Sequence, residues 1–157
     1  MTEGGSLVAD ILLRPIRQGD LEALYRLDQA CFEPDIAYTR GQLRDLLSRP
    51  HAVSLVAEVD GVLAGFTIGH RTGGRGHVVT LDVAGGRRRQ GVGRELMRRL
   101  VERLESAGAR LIRLEVDLRN AGAIRFYERL GFRETRTLPD YYGEGLDGLE
   151  MVRETGG

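Results

Sequence analysis

The run Ala84-Gly85-Gly86-Arg87-Arg88-Arg89-Gln90-Gly91-Val92-Gly93-Arg94 has the residue types of an anion site. Glycine tolerates backbone conformations that a Cβ forbids, so amides in such a run can converge on one point. A helical pattern follows, and a helix start offers unpaired N–H groups and about half a positive charge. Arg87, Arg88, Arg89 and Arg94 add full charges. The ligand such a turn suits is a pyrophosphate, with a solvated glycine-arginine turn as the alternative. Two other phosphate motifs do not fit. A dinucleotide-binding fingerprint needs a glycine at position 96, which is Leu, and needs to follow the first strand. A Walker loop needs a lysine, and all 23 basic residues here are arginine. The same absence excludes a Schiff-base lysine.

Three further residues carry chemistry by type. Glu115 lies in an alternating segment that puts Arg113, Glu115 and Asp117 on one face and Ile112, Leu114 and Val116 on the other. It is either a general base or part of a polar strand face. Tyr127 shares a helical face with Ile124 and Leu130, so its ring suits a core; its phenol, with an ordinary pKa of about 10, also suits a proton donor to a thiolate of pKa about 8.5. His77 opens a strand and is either structural or a catalytic assistant. Cys31 falls on apolar helix spacing and reads as core. His51 and His70 have no carboxylate or cysteine partners at ligand spacing, so no metal is expected.

The elements that must position these residues alternate along the chain. Residues 11–17 read as a strand. Asp20 reads as the N-cap of a helix carrying Leu21, Leu24, Leu27 and Cys31. Thr39-Arg40-Gly41-Gln42 has capping-box spacing before a helix with Leu43, Leu46 and Leu47, which Pro50 stops. Residues 52–59 and 62–72 form a hairpin around Asp60-Gly61. A strand over 77–83 leads into the glycine-arginine turn and a helix whose stripe is Val92, Leu96, Leu100, Val101 and Leu104, ended by Gly108. A strand over 110–116 precedes a short helix capped by Asn120, with Gly131 past its end. Residues 132–138 and 146–153 close as a strand pair around Asp140-Tyr141-Tyr142-Gly143. The order is β-α-α-β-β-β-α-β-α-β-β: one α/β domain with a mixed, mostly antiparallel sheet. The strands before and after the long helix should run parallel through a right-handed crossover.

At 157 residues the chain is one domain, expected over 10–154 with loose ends at 1–9 and 155–157. The 23 basic and 23 acidic residues cancel, against a general nucleic-acid or membrane-surface binder. A single cysteine precludes an internal disulfide, and the N-terminus lacks a secretory pattern. No apolar stretch nears the ~18 residues of a membrane span. These features point to the cytoplasm.

The segment Leu81-Asp82-Val83 through Arg88-Arg89-Gln90-Gly91-Val92-Gly93-Arg94-Glu95-Leu96 resembles the coenzyme A motif R/Q-x-x-G-x-G/A of the GNAT family of N-acetyltransferases. Residues 114–132, from Leu114-Glu115-Val116 through Asn120, Ala123-Ile124 and Tyr127 to Leu130-Gly131-Phe132, are similar to the signature L-E-V-x-x-x-N-x-x-A-I-x-x-Y-x-x-L-G-F. That signature belongs to the ribosomal-protein-alanine and archaeal protein N-terminal acetyltransferases. Tyr141-Tyr142, the acidic glycine-bearing loop after them, and Glu150-Met151 look like the same subgroup. Ala84-Gly85-Gly86 departs from the family, which often has a proline there.

The resemblance implies a GNAT-like fold whose central parallel strand pair binds acetyl-CoA, with no metal. It implies that Leu81, Asp82 and Val83 hold the pantetheine arm through their backbone, with a main-chain amide there as oxyanion donor. Arg88, Arg89, Gln90, Gly91, Val92, Gly93 and Arg94 hold the pyrophosphate, and Asn120 and Tyr127 touch the coenzyme. Glu115 is then the general base, Tyr127 the acid that protonates the leaving thiolate, and His77 shares a water with the glutamate. Tyr38, Tyr141 and Tyr142 line the acceptor slot. The expected reaction is direct transfer, without an acyl-enzyme, to the α-amine of a protein, plausibly ribosomal. Alternatives are a small-molecule amine as acceptor, or a non-catalytic coenzyme- or nucleic-acid-binding regulator.

Overall fold

Residues 10–88 and 90–155 are described by the computed structural model. The expected loose end at 1–9 lies outside them. Thr155, expected to be loose, is held: its N–H reaches the Arg110 carbonyl at 2.8 Å and its hydroxyl donates to the Ala109 carbonyl at 2.8 Å.

The strands are β1 (Ile11–Pro15), β2 (Ala52–Val59), β3 (Val62–Thr72), β4 (Arg75–Val83), β5 (Leu111–Asp117), β6 (Arg133–Leu138) and β7 (Gly148–Glu154). The helices are α1 (Leu21–Cys31), α2 (Arg40–Leu47), α3 (Val92–Ser106) and α4 (Ala121–Arg129). Asp60 and Gly61 both take positive φ, at 54° and 75°, which matches the twist a two-residue hairpin turn needs between β2 and β3. Thr39 and Gln42 exchange the two bonds of a capping box at the start of α2. Asn120 Oδ1 accepts the Ala123 N–H at 3.1 Å and caps α4. Asp20 precedes α1 but does not cap it. Its carboxylate is taken by Arg14, at 2.8 and 2.9 Å, and by the Arg17 N–H at 2.7 Å, so a charged partner outcompetes the helix amides.

The sheet order is β1-β2-β3-β4-β5-β7-β6. Among the described residues only β4 and β5 run parallel, as expected, and the other pairs are antiparallel. Their pairing covers only Arg75–His77 against Leu111–Arg113, and beyond that point the two strands diverge. Among the described residues, the β5-facing edge of β4 after His77 therefore has no strand partner. A register shift between Ile68 and Gly69 leaves Val79 as an extra residue in β4, a bulge that bends the strand at the same place.

Two apolar clusters cover the two faces. The α3 stripe of Val92, Leu96, Leu100, Val101 and Leu104 packs with Leu55, Ile112 and Leu114, and α4 joins it through Ile124, Phe126 and Tyr127. On the other face Leu24 of α1 and Leu43 and Leu46 of α2 pack on Val56, Phe66 and Ile68. At β3, Gly65 and Gly69 let α3 approach: a Cβ on Gly69 would lie 3.2 Å from Leu100 and 2.9 Å from the His77 carbonyl.

Candidate active site

The glycine-arginine turn forms between the end of β4 and α3. Gly91 takes φ 86° at the position before the helix, a left-handed conformation that glycine adopts without a Cβ penalty. The first helical bond of α3 is Glu95 N–H to the Gly91 carbonyl, 3.0 Å. The N–H groups of Val92, Gly93 and Arg94 therefore have no acceptor within the helix. A Cβ on Gly93 would sit 3.4 Å from both Phe126 and Val83, so this turn is tucked against α4 and β4. Gln90 closes the loop by donating to the Gly86 carbonyl at 3.3 Å. Arg94 is exposed, and Arg88 is exposed near the Cys31 thiol. Arg89 lies outside the described residues. The open amides, the helix dipole and the unpartnered edge of β4 form one continuous strip, suited to a long ligand with a pyrophosphate at one end.

Where β4 and β5 part, two candidate residues meet. Glu115 Oε1 is 2.7 Å from His77 Nε2, and the two side chains are 11% and 17% exposed. A carboxylate accepts only, so that ring nitrogen carries the hydrogen. The other oxygen of Glu115 lies 3.5 Å from Arg113 Nη1. The alternation expected for β5 holds: Ile112, Leu114 and Val116 are buried and Arg113, Glu115 and Asp117 lie on the opposite face. Across the strand pair Glu115 faces Glu150. That second carboxylate is held by Thr135 at 2.8 Å and Arg136 at 3.3 Å, which keep it below its usual range and tied away from Glu115.

Of the four tyrosines named from sequence, Tyr38, Tyr141 and Tyr142 lie around Glu115, while Tyr127 packs with the α3–α4 cluster. Tyr127 packs edge-on against Phe126 and Phe132, with ring centroids at 5.2 and 6.1 Å. Burial, with the Asp82 charge second, raises its phenol and keeps it protonated. The core reading of its ring and the donor reading of its hydroxyl are thus compatible. Tyr141 stacks edge-on against Tyr142 at 4.9 Å. Its hydroxyl is pushed up to about 12 by burial first, then by the charge of Glu115 and a hydrogen bond to it. Burial likewise raises Tyr142, with Tyr141 and Glu115 adding to it. Tyr38 is raised by burial, then by Asp28, Asp82 and Glu115. A Cβ on Gly148 would lie 3.0 Å from Tyr141, so the chain at the start of β7 runs directly beneath that ring.

Other placements can be compared with the sequence reading. The Asp82 side chain is buried away from the β4 edge, so only its backbone is free to meet a bound arm. Cys31 is half-buried; its thiol donates to the Val83 carbonyl at 3.5 Å and is raised by burial, which suits no nucleophile. Sequence reasoning put Arg113 on the face of Glu115 but gave it no role there. It also missed His70, whose ring stands 5.5 Å from His77 and is kept low by burial and by His77. The signal was the β3–β4 register, which pairs His70 with His77.

Comparisons with known proteins agree with this geometry. A family model described as the acetyltransferase (GNAT) family matches residues 21–132. An uncharacterized N-acetyltransferase of Methanocaldococcus jannaschii is 30% identical over 145 residues, 92% of each chain. The crystal structure of the ribosomal-protein-S18-alanine N-acetyltransferase of Escherichia coli superposes with a TM-score of 0.84 at 25% identity, covering 94% of this chain and 97% of that one. Arabidopsis thaliana NAA60 in complex with acetyl-CoA superposes with a TM-score of 0.83 at 26% identity, covering 94% of this chain and all of that one.

Proposed function

The chain belongs to the acetyltransferase (GNAT) family and is an acetyl-CoA-dependent acyltransferase, and from that premise we propose that it acetylates the α-amine at a protein N-terminus. The observation that carries this reading is the convergence of Tyr38, Tyr141 and Tyr142 on Glu115 from two separate loops. Aromatic walls around one carboxylate suit the first residues of an extended peptide. The Escherichia coli structure with the same architecture acts on a ribosomal protein, which makes a ribosomal N-terminus a natural first acceptor to try.

Acetyl-CoA supplies an activated acyl group as a thioester. The chain's residues have three tasks. The open amides of Val92, Gly93 and Arg94 hold the pyrophosphate, and the free edge of β4 at Leu81 and Val83 holds the arm as an added strand. A backbone N–H on that same stretch of β4 meets the charge that develops on the carbonyl oxygen. Glu115, held by His77 and Arg113, takes the proton from the attacking amine, directly or through one water. An α-amine, with a pKa of about 7.7–8.0 against ~10.4 for lysine, is already partly neutral at pH 7–8, so a carboxylate suffices. Tyr127 keeps its proton in a dry site and donates it to the departing sulfur.

A panel of free N-terminal peptides, N-terminally blocked lysine peptides and small amines, assayed for CoA release, tests the reading. Mass spectrometry should place the acetyl group on the α-nitrogen. Transfer only to lysine side chains or only to small amines would overturn it.

A further inference from the structure

Two carboxyl groups outside the proposed chemistry lie at the junction between α1 and β4. Asp28 is 0% exposed and Asp82 is 1% exposed, and they face one another: one turn beyond Asp28, the Cys31 thiol ties α1 to the Val83 carbonyl beside Asp82, and Asp28 acts directly on the Asp82 carboxyl. Each has one oxygen engaged elsewhere. Asp28 Oδ2 accepts the Tyr38 N–H at 2.6 Å, and Asp82 Oδ1 accepts the Thr80 hydroxyl at 2.6 Å. The remaining oxygens, Asp28 Oδ1 and Asp82 Oδ2, are buried and have no hydrogen-bond partner among the described residues. No basic side chain among the described residues bonds to either carboxyl. Two carboxylates cannot both ionise in such a place, because each disfavours the other's charge and neither is solvated. One proton between the two unengaged oxygens satisfies every polar atom: Asp82 donates, and Asp28 accepts while its other oxygen holds Tyr38.

We propose that Asp28 and Asp82 form a one-proton carboxyl pair that positions the Tyr38 segment of the acceptor slot against the cosubstrate-binding strand. The positioning role rests on the reading that Tyr38 lines that slot. Tyr38 is gripped on both sides of its backbone by α1, through Asp28 and through Gln29, whose side-chain amide donates to the Tyr38 carbonyl at 2.9 Å. Asp82 sits in β4 between Leu81 and Val83, the proposed arm-binding residues. The pair is therefore a strut between the two substrates' binding walls.

The neighbours give the pair a pH dependence. Thr80 faces it from β4, and the Cys31 thiol from α1, with Arg88 beside Cys31. The Tyr38 phenol faces it from the loop and the Tyr127 phenol from α4. From β3, Asp82 meets apolar Phe66. Apart from Arg88 at the thiol, nothing among the described residues there offsets a second negative charge. Asp82 is accordingly pushed up to about 9, by burial first and by Asp28 next. Below that pH the pair holds its proton. Above it, two facing carboxylates should push α1 from β4 and release Tyr38.

The test compares wild type with Asp28→Asn. This replacement can keep both hydrogen bonds, to Tyr38 and to Asp82, without a shared proton. A native group whose pKa lies above its unfolded value contributes stability that is lost as pH rises towards the native pKa. Wild-type Tm should therefore fall by roughly 3 °C per pH unit between pH 6 and 9 beyond any fall in Asp28→Asn. In kinetics, with whichever amine the acceptor panel identifies, wild-type KM for the acceptor should rise relative to the variant's by about tenfold between pH 7 and 10, with little change in the kcat ratio. Parallel Tm profiles would overturn the shared proton. Divergent Tm profiles with a constant KM ratio would overturn the positioning role. The thermal arm needs no acceptor, so it is decided even if the α-amine reading fails. Should Asp28→Asn fail to fold, Asp82→Asn gives the same two readings.

Discussion

The proposed cosubstrate side and the proposed acceptor side of this molecule are built by different means. On the first, one contiguous run from Leu81 to Arg94 supplies a strand edge, a left-handed glycine and three open helix amides. Its recognition elements are mostly backbone. On the second, Tyr38, His77, Glu115 and Tyr141 come from a loop, two strands and a distant turn, and all of them act through side chains. A backbone site is specified locally, since glycines and a helix start suffice. A side-chain site exists only once the sheet has brought remote segments together. The two meet where β4 and β5 diverge, and Glu115 stands at that junction.

The comparison can be broken by variants on each side. Glu115→Gln keeps size and polarity but cannot take a proton. It should cut turnover by about 10²–10⁴-fold while CoA affinity, measured by calorimetry, stays near wild type. Loss of CoA binding instead would place Glu115 on the cosubstrate side. Gly93→Glu does the reverse. It adds a side chain where the Cβ already meets Phe126 and Val83 at 3.4 Å, and a negative charge among the open amides. CoA affinity should fall by about 10–100-fold, the worth of one or two hydrogen bonds to a charged group. Wild-type affinity would remove the pyrophosphate from this turn.

Tyr127→Phe should slow turnover by about tenfold or somewhat more, less than Glu115→Gln, because a thiolate of pKa about 8.5 is already a fair leaving group. The packed ring remains, so Tm should hardly move. The defect should shrink with thioesters of more acidic thiols. Unchanged turnover on acetyl-CoA, with chemistry rate-limiting, would make Tyr127 a core residue only. Tyr141→Phe should have the smallest effect, a few-fold rise in acceptor KM from one lost hydroxyl contact near Glu115, in the range of a single net hydrogen bond. A fall in CoA affinity of the same size would place Tyr141 on the wrong side of the comparison.

The legibility of the sequence follows the same division. The α3 stripe, the Thr39–Gln42 capping box, the Asp60-Gly61 turn and the Asn120 cap are local patterns, and each was readable before any fold was known. The insertion of β7 between β5 and β6 was not, because periodicity does not state strand order; the Glu115–Glu150 pairing and its Arg136 counter-charge were hidden with it. Asp20 looked like a helix cap because Arg14, six residues earlier, competes for it only in the folded chain. Asp28 falls on the Leu21, Leu24, Cys31 stripe of α1, so its burial was legible from spacing, but nothing in the sequence said that Asp82 of a distant strand would face it. The Glu115 and Tyr127 roles rested on resemblance to a family signature, since alternation and helical period alone allowed a polar face and a core ring.

The most direct test of the account is the pH dependence of the Glu115→Gln deficit, measured in single turnovers with a peptide whose only amine is its N-terminus. If Glu115 takes the proton from the amine, the ratio of wild-type to variant rates should be largest near pH 6–7. It should shrink steadily above pH 8, where about half or more of the amine is already neutral. A ratio that stays constant across that range would contradict the account and leave Glu115 as a structural partner of His77.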